Sequence, residues 1–374
     1  MIEVREVRTK ADLRAFISFP DKLYKDCPYY VPCLHMDEKN NLLEKSNPAY
    51  EYCETKILLA YKDGKLAGRV LGILNRAYNE KFGKKRVRFN RWDVIDDIEV
   101  TKALLTEVER WGAEKGMTEI TGPIGFCDMD HQGLLVEGFE EKDLFITTYN
   151  YPYYAEHLDR LGYVKDADWI EMQISMPEQL SPKIKKVSEL LLKKHDLHLM
   201  QFTKIKEVLP RVDEIFDLLN EAYSDLYGTV PLNAGQVQMY KEQFIPILNP
   251  KYISIVENNA NEIVGFGIAA PSMADASIKS KGKLFPLGWL RILRSIRKND
   301  TIELLLVAVR KDYRNTGVNA IMISQMYDNA AKSGIRLAET GPELELNDKV
   351  QSQWKSFETR QHKRRRCYVK PIEL

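Results

Sequence analysis

Six residues, Arg314-Asn315-Thr316-Gly317-Val318-Asn319, have the types and spacing to hold an anion. They follow a run of β-formers, 304–309, and precede apolar residues at helical spacing: Ala320, Ile323, Met326, Tyr327 and Ala330. A strand that turns sharply into a helix points several backbone N–H groups, and the positive end of the helix dipole, at one spot. Phosphate suits such a spot. Glycine at 317 lets the backbone approach a ligand closely, and Arg310, Lys311 and Arg314 put cations around the turn. An ordinary strand–turn–helix junction shares the pattern, so the turn alone leaves the ligand open.

Other constellations carry less. Asp128-Met129-Asp130-His131 has metal-ligand types, but nothing clusters with it in sequence, so no metal is expected. The other histidines (His35, His157, His195, His198 and His362) follow no zinc or hydrolase spacing. Gly-x-Ser-x-Gly and Gly-x-x-x-x-Gly-Lys-Ser/Thr are both absent. The tail His362-Lys363-Arg364-Arg365-Arg366 is basic, yet 55 Lys and Arg face 54 Asp and Glu in the whole chain. Nucleic acid is therefore not expected as a partner.

The elements that position the turn follow from the pattern. At 374 residues the chain is long enough for about two domains, and 44% hydrophobic residues can fill their cores. The five cysteines are scattered and never form Cys-x-x-Cys, which fits reduced thiols and a cytoplasmic location. No apolar run approaches the ~20 residues of a membrane span, and no leader precedes Met1, so stable membrane insertion is not expected. Strands are predicted at 2–8, 51–61, 67–74, 87–92 and 119–123, with helices at 10–24 and 100–112. A helix at 149–161 and a strand running to 174 complete the first half.

The second half repeats this order. A strand at 197–202 and a helix at 208–223 lead to a hairpin through 252–256, 259–262 and 263–270. After the central strand and helix come a strand at 336–339, a helix at 350–357 and a last strand at 365–370. Leu66-Ala67-Gly68 answers Ile263-Val264-Gly265, Gly122-Pro123 answers Gly341-Pro342, and Tyr163-Val164-Lys165 answers Tyr368-Val369-Lys370. The expected organisation is one copy at 1–178, a linker helix at 179–196, and a second copy at 197–374 with an insertion at 271–300. The copies differ where chemistry is at stake. Asp93, Asp96, Asp97 and Glu99 occupy the place of the anion turn in the first copy, where they would favour a helix start but repel a diphosphate.

Arg314 and Gly317 after a hydrophobic strand resemble the acyl-CoA pyrophosphate loop of the GNAT superfamily of N-acyltransferases, Arg/Gln-x-x-Gly-x-Gly/Ala. Asn319 stands where that pattern ends in a small residue. Further segments carry the likeness across nearly the whole chain: 63–69, Gly122-Pro123, 133–139, 313–318, Glu339 and 344–347. The chain resembles a bacterial family of tandem GNAT-like proteins of this length. The implied fold class is α/β of the α+β kind, with two tandem GNAT-like domains. Each would be a mixed, largely antiparallel sheet flanked by helices.

The resemblance implies acetyl-CoA or another acyl-CoA as cosubstrate, and an amine on a small molecule as acceptor. Val307 and Val309 would bond the pantetheine arm, and Arg314, Asn315, Thr316, Gly317, Val318 and Asn319 the diphosphate. Glu339 or Glu303 would take the amine proton. The usual tyrosine that protonates the leaving thiolate falls near Trp354, which leaves Tyr368 or Tyr327 to replace it. Asn347 and Trp289 are expected to face substrate. Gly317→Glu is expected to abolish cofactor binding and spare the fold. In the insertion, Trp289, Leu290, Leu293 and Ile296 share one helix face. That face covers the sheet, forms a lid over an acyl channel, or touches a membrane surface. Two other readings stay open: a CoA- or ligand-binding sensor or scaffold, and a Fem-like aminoacyl transferase using charged tRNA. The oligomeric state, a homodimer included, stays open too.

Overall fold

A computed structural model describes residues 1–373. The first half supplies β1 (Ile2–Glu6), β2 (Cys53–Lys62), β3 (Lys65–Asn75), β4 (Arg86–Val94), β5 (Glu119–Gly122), β6 (Leu134–Glu137) and β7 (Val164–Ser175). The second supplies β8 (His198–Met200), β9 (Ile253–Glu257), β10 (Ile263–Pro271), β11 (Thr301–Val309), β12 (Leu337–Thr340), β13 (Glu343–Leu344) and β14 (Glu358–Pro371). All fourteen join one sheet in the order β1-β2-β3-β4-β5-β14-β7-β12-β11-β10-β9-β8, with β6 beside β14 and β13 beside β7. Two neighbouring pairs, β4 with β5 and β11 with β12, run parallel, as their intervening helices require.

The halves exchange their last strands. β14 pairs with β5 of the first half, β7 pairs with β12 of the second, and the two closing strands pair with each other between them. Tyr163-Val164-Lys165 leads into β7 and Tyr368-Val369-Lys370 comes near the end of β14, where the two antiparallel strands pair with each other. The seam is held by buried charge: Arg365 donates to Asp143 at 2.6 Å and to Glu171 at 2.5 Å, and Lys363 lies 2.9 Å from Glu171. The basic tail thus points largely into the protein.

In the first half, helix Ile98–Glu114 lays Leu104, Leu105, Val108 and Trp111 on the sheet, as its apolar spacing dictates. Of the four acidic residues expected at its start, only Asp97 and Glu99 are there. Asp93 is still in β4, where it accepts from Arg69 at 2.7 Å and from Tyr24 at 2.9 Å. Asp96 faces His157, and Asp97 caps the helix by accepting from the Glu99 amide at 3.0 Å. Cations and a helix start attract them separately, so only Glu99 sits in the first turn.

In the second half, helices Val212–Tyr223 and Ala234–Phe244 cover one sheet face; helix Val318–Lys332 and the connecting helix Pro182–Lys194 cover the other. Helices His35–Leu42, Arg76–Phe82 and Ala234–Phe244 were not legible in the pattern. Residues 259–262 form the turn between β9 and β10 instead of a strand, since Asn258 folds back to accept from the amides of Ala260 and Glu262. The expected helix at 350–357 splits into Asp348–Gln351 and a 3₁₀ turn, Ser352–Ser356, and β14 begins at Glu358. No helix among the described residues is long and apolar enough to cross a membrane.

Candidate functional site

The site begins where two parallel strands part. β11 and β12 stay paired only as far as Leu304 and Thr340. Gly341-Pro342 then turns the chain away, with the Gly341 amide donating to Leu304 O at 3.0 Å. Ile268 faces Leu306 and Ala269 faces Leu304, so Leu305 is the extra residue of a bulge. Beyond it, Val307 and Val309 run along a groove of about 970 Å³, bordered by 344–347 on one side and by Arg314, Asn315, Gly317, Val318 and Asn319 on the other. Thr316 is turned back, its hydroxyl donating to Tyr313 O at 2.6 Å.

The turn is left-handed at Asn315 (φ 66°) and Gly317 (φ 91°). No side chain caps helix Val318–Lys332. Among the described residues, the amides of Asn315, Gly317, Val318 and Asn319 donate to no protein acceptor. Such a cluster of free N–H groups at a helix start favours an anion. Arg310 does not contribute, because Asp312 and Glu262 hold its guanidinium, each at 2.9 Å. A Cβ at Gly317 would lie 2.4 Å from Leu191 Cδ1 of the connecting helix. The φ at 317 favours glycine, and a larger side chain there would have to displace Leu191, so Gly317→Glu would strain the turn itself.

Past Val307, Asn319 and Asn347 the groove continues into an apolar cavity of about 270 Å³. Val212, Phe216, Leu219, Leu306, Met322 and Met326 form much of its wall. Among the ionisable groups in that wall, Asp128, Glu343 and Tyr223 are held in their protonated forms beyond their usual range. Burial pushes the Asp128 carboxyl up to about 6 and that of Glu343 up to about 7. Trp354 Nε1 donates to Glu343 Oε1 at 2.9 Å, while Oε2 is buried without a protein partner. Tyr223 donates to Val307 O at 3.1 Å, and burial, then the charge of Asp128, holds its proton more tightly than usual. Asn319 Oδ1 is likewise buried and unpartnered where the two compartments meet.

Several expected site residues lie elsewhere. Glu303 and Glu339 sit opposite each other in register, and neither borders the groove or the apolar cavity. Counting alternate residues back from Val309 places Glu303 on the face of Val307, but the bulge at Leu305 shifts that alternation by one. Glu303 is sealed behind Phe145, whose amide it accepts at 3.3 Å, and burial pushes its carboxyl up to about 8. Glu339 accepts from Gln173 at 3.2 Å. Tyr368 pairs with Gly122 in the core of the first half, and Tyr327 lies off both compartments. Trp289 is 44% exposed and donates to Pro286 O at 3.1 Å, turned away from the cavity. Asn347 does border both compartments. Asp130 is engaged by Arg91 at 2.7 Å, and His131 by Ile146 O at 3.0 Å.

Sequence reasoning missed Tyr223 and Glu343, though each left a trace. Tyr223 closes the apolar stripe Val212, Ile215, Phe216, Leu219 with a hydroxyl. Glu343 follows the Gly-Pro pair at the place where the first copy has Ile124, a carboxylate where its counterpart is apolar.

No family model matches the chain. Protein YghO of Escherichia coli K12 is 28% identical over 376 residues, covering 99% of this chain and 95% of that protein. A bacterial ceramide synthase of Caulobacter vibrioides is 23% identical over 324 residues, covering 84% and 82%. Among solved structures, a tandem GNAT protein from the clavulanic acid biosynthesis pathway superposes with a TM-score of 0.58 at 11% identity, covering 100% of this chain and 99% of that one. A probable N-acyltransferase from Enterococcus faecalis gives 0.53 at 10% identity, covering 100% and 73%.

Proposed function

Because the chain is a tandem GNAT-fold protein, we propose that it transfers an acyl group from acyl-CoA to an amine, in a cleft built mainly by its second half. One observation carries this reading. An uncapped helix start, an unpaired strand edge and an apolar cavity with raised carboxyls are continuous through Val307, Asn319 and Asn347. The amides of Asn315, Gly317, Val318 and Asn319 would hold the diphosphate, with Arg314 at the groove edge. The edge of β11 from Leu305 to Val309 would bond the pantetheine arm, as an added strand bonds a sheet edge.

The amine nitrogen attacks the thioester carbon, and the carbon–sulfur bond breaks with its electron pair passing to sulfur. Glu343, ionised near neutral pH and with a free Oε2, takes the proton from nitrogen. Tyr223 keeps its proton at that pH and stands at the strand edge, placed to give it to the thiolate. Asp128 would bring the first half into the site as a second acceptor for the amine. Glu303, Glu339 and Tyr368 have no part in this scheme.

The apolar cavity favours a long aliphatic group over acetyl, which would leave most of that wall in contact with water. The Caulobacter relative supports this choice, since a ceramide is the amide of a long-chain base. The test is calorimetric titration with acetyl-CoA and lauroyl-CoA, followed by thiol release with short and long alkyl amines. Tighter binding of lauroyl-CoA and amine-dependent release are expected. Equal affinity for the two donors would overturn the chain-length assignment; no amine-dependent release with either would overturn acyl transfer.

A further inference from the structure

The insertion between β10 and β11 carries a surface that acyl transfer does not use. Helix Gly288–Arg297 docks through one spine: Gly288 and Ile292 are buried, and Ile296 packs partly beside them. The rest of its apolar residues face out. Phe285 is 77% exposed, Leu287 53%, Trp289 44%, Leu290 46% and Leu293 40%. At about 100° per residue, Trp289, Leu290 and Leu293 span one stripe, and Arg291, Arg294 and Lys298 the stripe beside it. Together with Lys279, Lys281, Lys283 and Arg297 this makes seven cations between residues 276 and 299, and no carboxylate. The flanking acids are already matched, Asp275 by Lys142 and Asp300 by Arg336.

We propose that this face docks on the surface of an anionic phospholipid bilayer. A helix that lies in the interface needs an apolar stripe to enter the acyl boundary and a basic stripe to meet the headgroups; both are present side by side. Contiguous exposed apolar side chains of this size are unusual on a protein that leaves them in water. Charge chooses among occupants: seven unmatched cations repel a second copy of the same face across a two-fold axis, whereas an anionic lipid surface attracts them. The inner side of the same helix faces the protein's apolar interior. Ile292 lines a small cavity of about 90 Å³ that shares Tyr240 and Phe244 with the apolar cavity of the site. This docking stands independently of the acyl-transfer reading.

The test sediments the full chain with vesicles of phosphatidylcholine alone and of phosphatidylcholine with phosphatidylglycerol. Pelleting with the anionic vesicles alone is expected, lost at about 1 M salt, where charges are screened beyond about 3 Å. Leu290→Glu/Leu293→Glu should lower the vesicle partition coefficient at least about tenfold, with an unchanged circular dichroism spectrum; both side chains face solvent, so the fold has no need of them. Arg294→Glu/Arg297→Glu should lower it similarly. Equal pelleting of wild type and Leu290→Glu/Leu293→Glu, or equal pelleting with both vesicle types, would overturn the proposal. So would a wild-type dimer in ultracentrifugation that these changes abolish, with no pelleting, since a second copy would then cover the face.

Discussion

Replacing Glu343 with glutamine removes a titrating group and keeps the acceptor that Trp354 Nε1 uses at 2.9 Å. In the folded chain burial pushes this carboxyl from 4.5 up to about 7. The folded state therefore binds its proton more tightly than the unfolded state does. Below pH 4.5 both states are protonated and the group costs nothing. Between 4.5 and 7 the unfolded state ionises first, so stability falls as pH rises. By pH 8 the loss amounts to at most about 3 kcal/mol. Glutamine carries no such penalty. The variant should be more stable than wild type at pH 8 by up to that amount, and nearly equal to it at pH 4, as read from urea midpoints at the two pH values. Turnover should move the opposite way. Amine-dependent thiol release should fall about 10²–10⁴-fold, and the rise of kcat/KM through pH 7 should vanish. A stability difference that is the same at both pH values would refute the assignment of the raised carboxyl to Glu343. Wild-type turnover in the variant would refute its role as base.

Tyr223→Phe removes the donor to Val307 O; we expect about 1 kcal/mol of lost stability in urea, and steady-state kinetics should show kcat falling about 10²-fold with KM little changed. Asn319→Asp puts a carboxylate beside the free amides at the helix start, so the Kd for CoA in calorimetry should rise at least about tenfold; the helix itself should gain a few tenths of a kcal/mol. Arg365→Leu takes the guanidinium from Asp143 and leaves Glu171 with Lys363 alone, and should cost about 3–5 kcal/mol in urea unfolding. Burial alone would raise Glu171, but Arg365 and then Lys363 outweigh it and hold the carboxyl at about 2. Its contribution is thus present above pH 4.5 and is lost as pH falls toward 2, and this acid dependence should shrink in the variant.

The turn of free backbone amides was legible because its geometry is local: Gly317 and a strand-to-helix switch determine where those amides point. The place of Glu303 was not, because it depends on phase along β11. One bulged residue, Leu305, separates the alternation that includes Val307 from the one that includes Glu303. Helical spacing revealed an amphipathic segment around Trp289, yet periodicity defines a stripe without saying whether protein or solvent meets it. Ile292, outside the expected stripe, is the residue that docks. The exchange of β7 and β14 was beyond reach for a related reason. Two copies of one sequence pattern offer the same edge to both closing strands, and only the buried contacts of Arg365 and Lys363 across the seam distinguish them.

That exchange bears on how the chain is made. Thr121 Oγ1 donates to Tyr368 O at 3.0 Å across 247 positions. During translation β5 must emerge, wait beside an empty flank, and receive its neighbour only once β14 has left the ribosome. Contacts of such separation form slowly, and an open strand edge in the meantime invites mispairing. A nascent chain arrested before β14 would therefore be a substrate for chaperones or proteases, and not a half-sized folded unit.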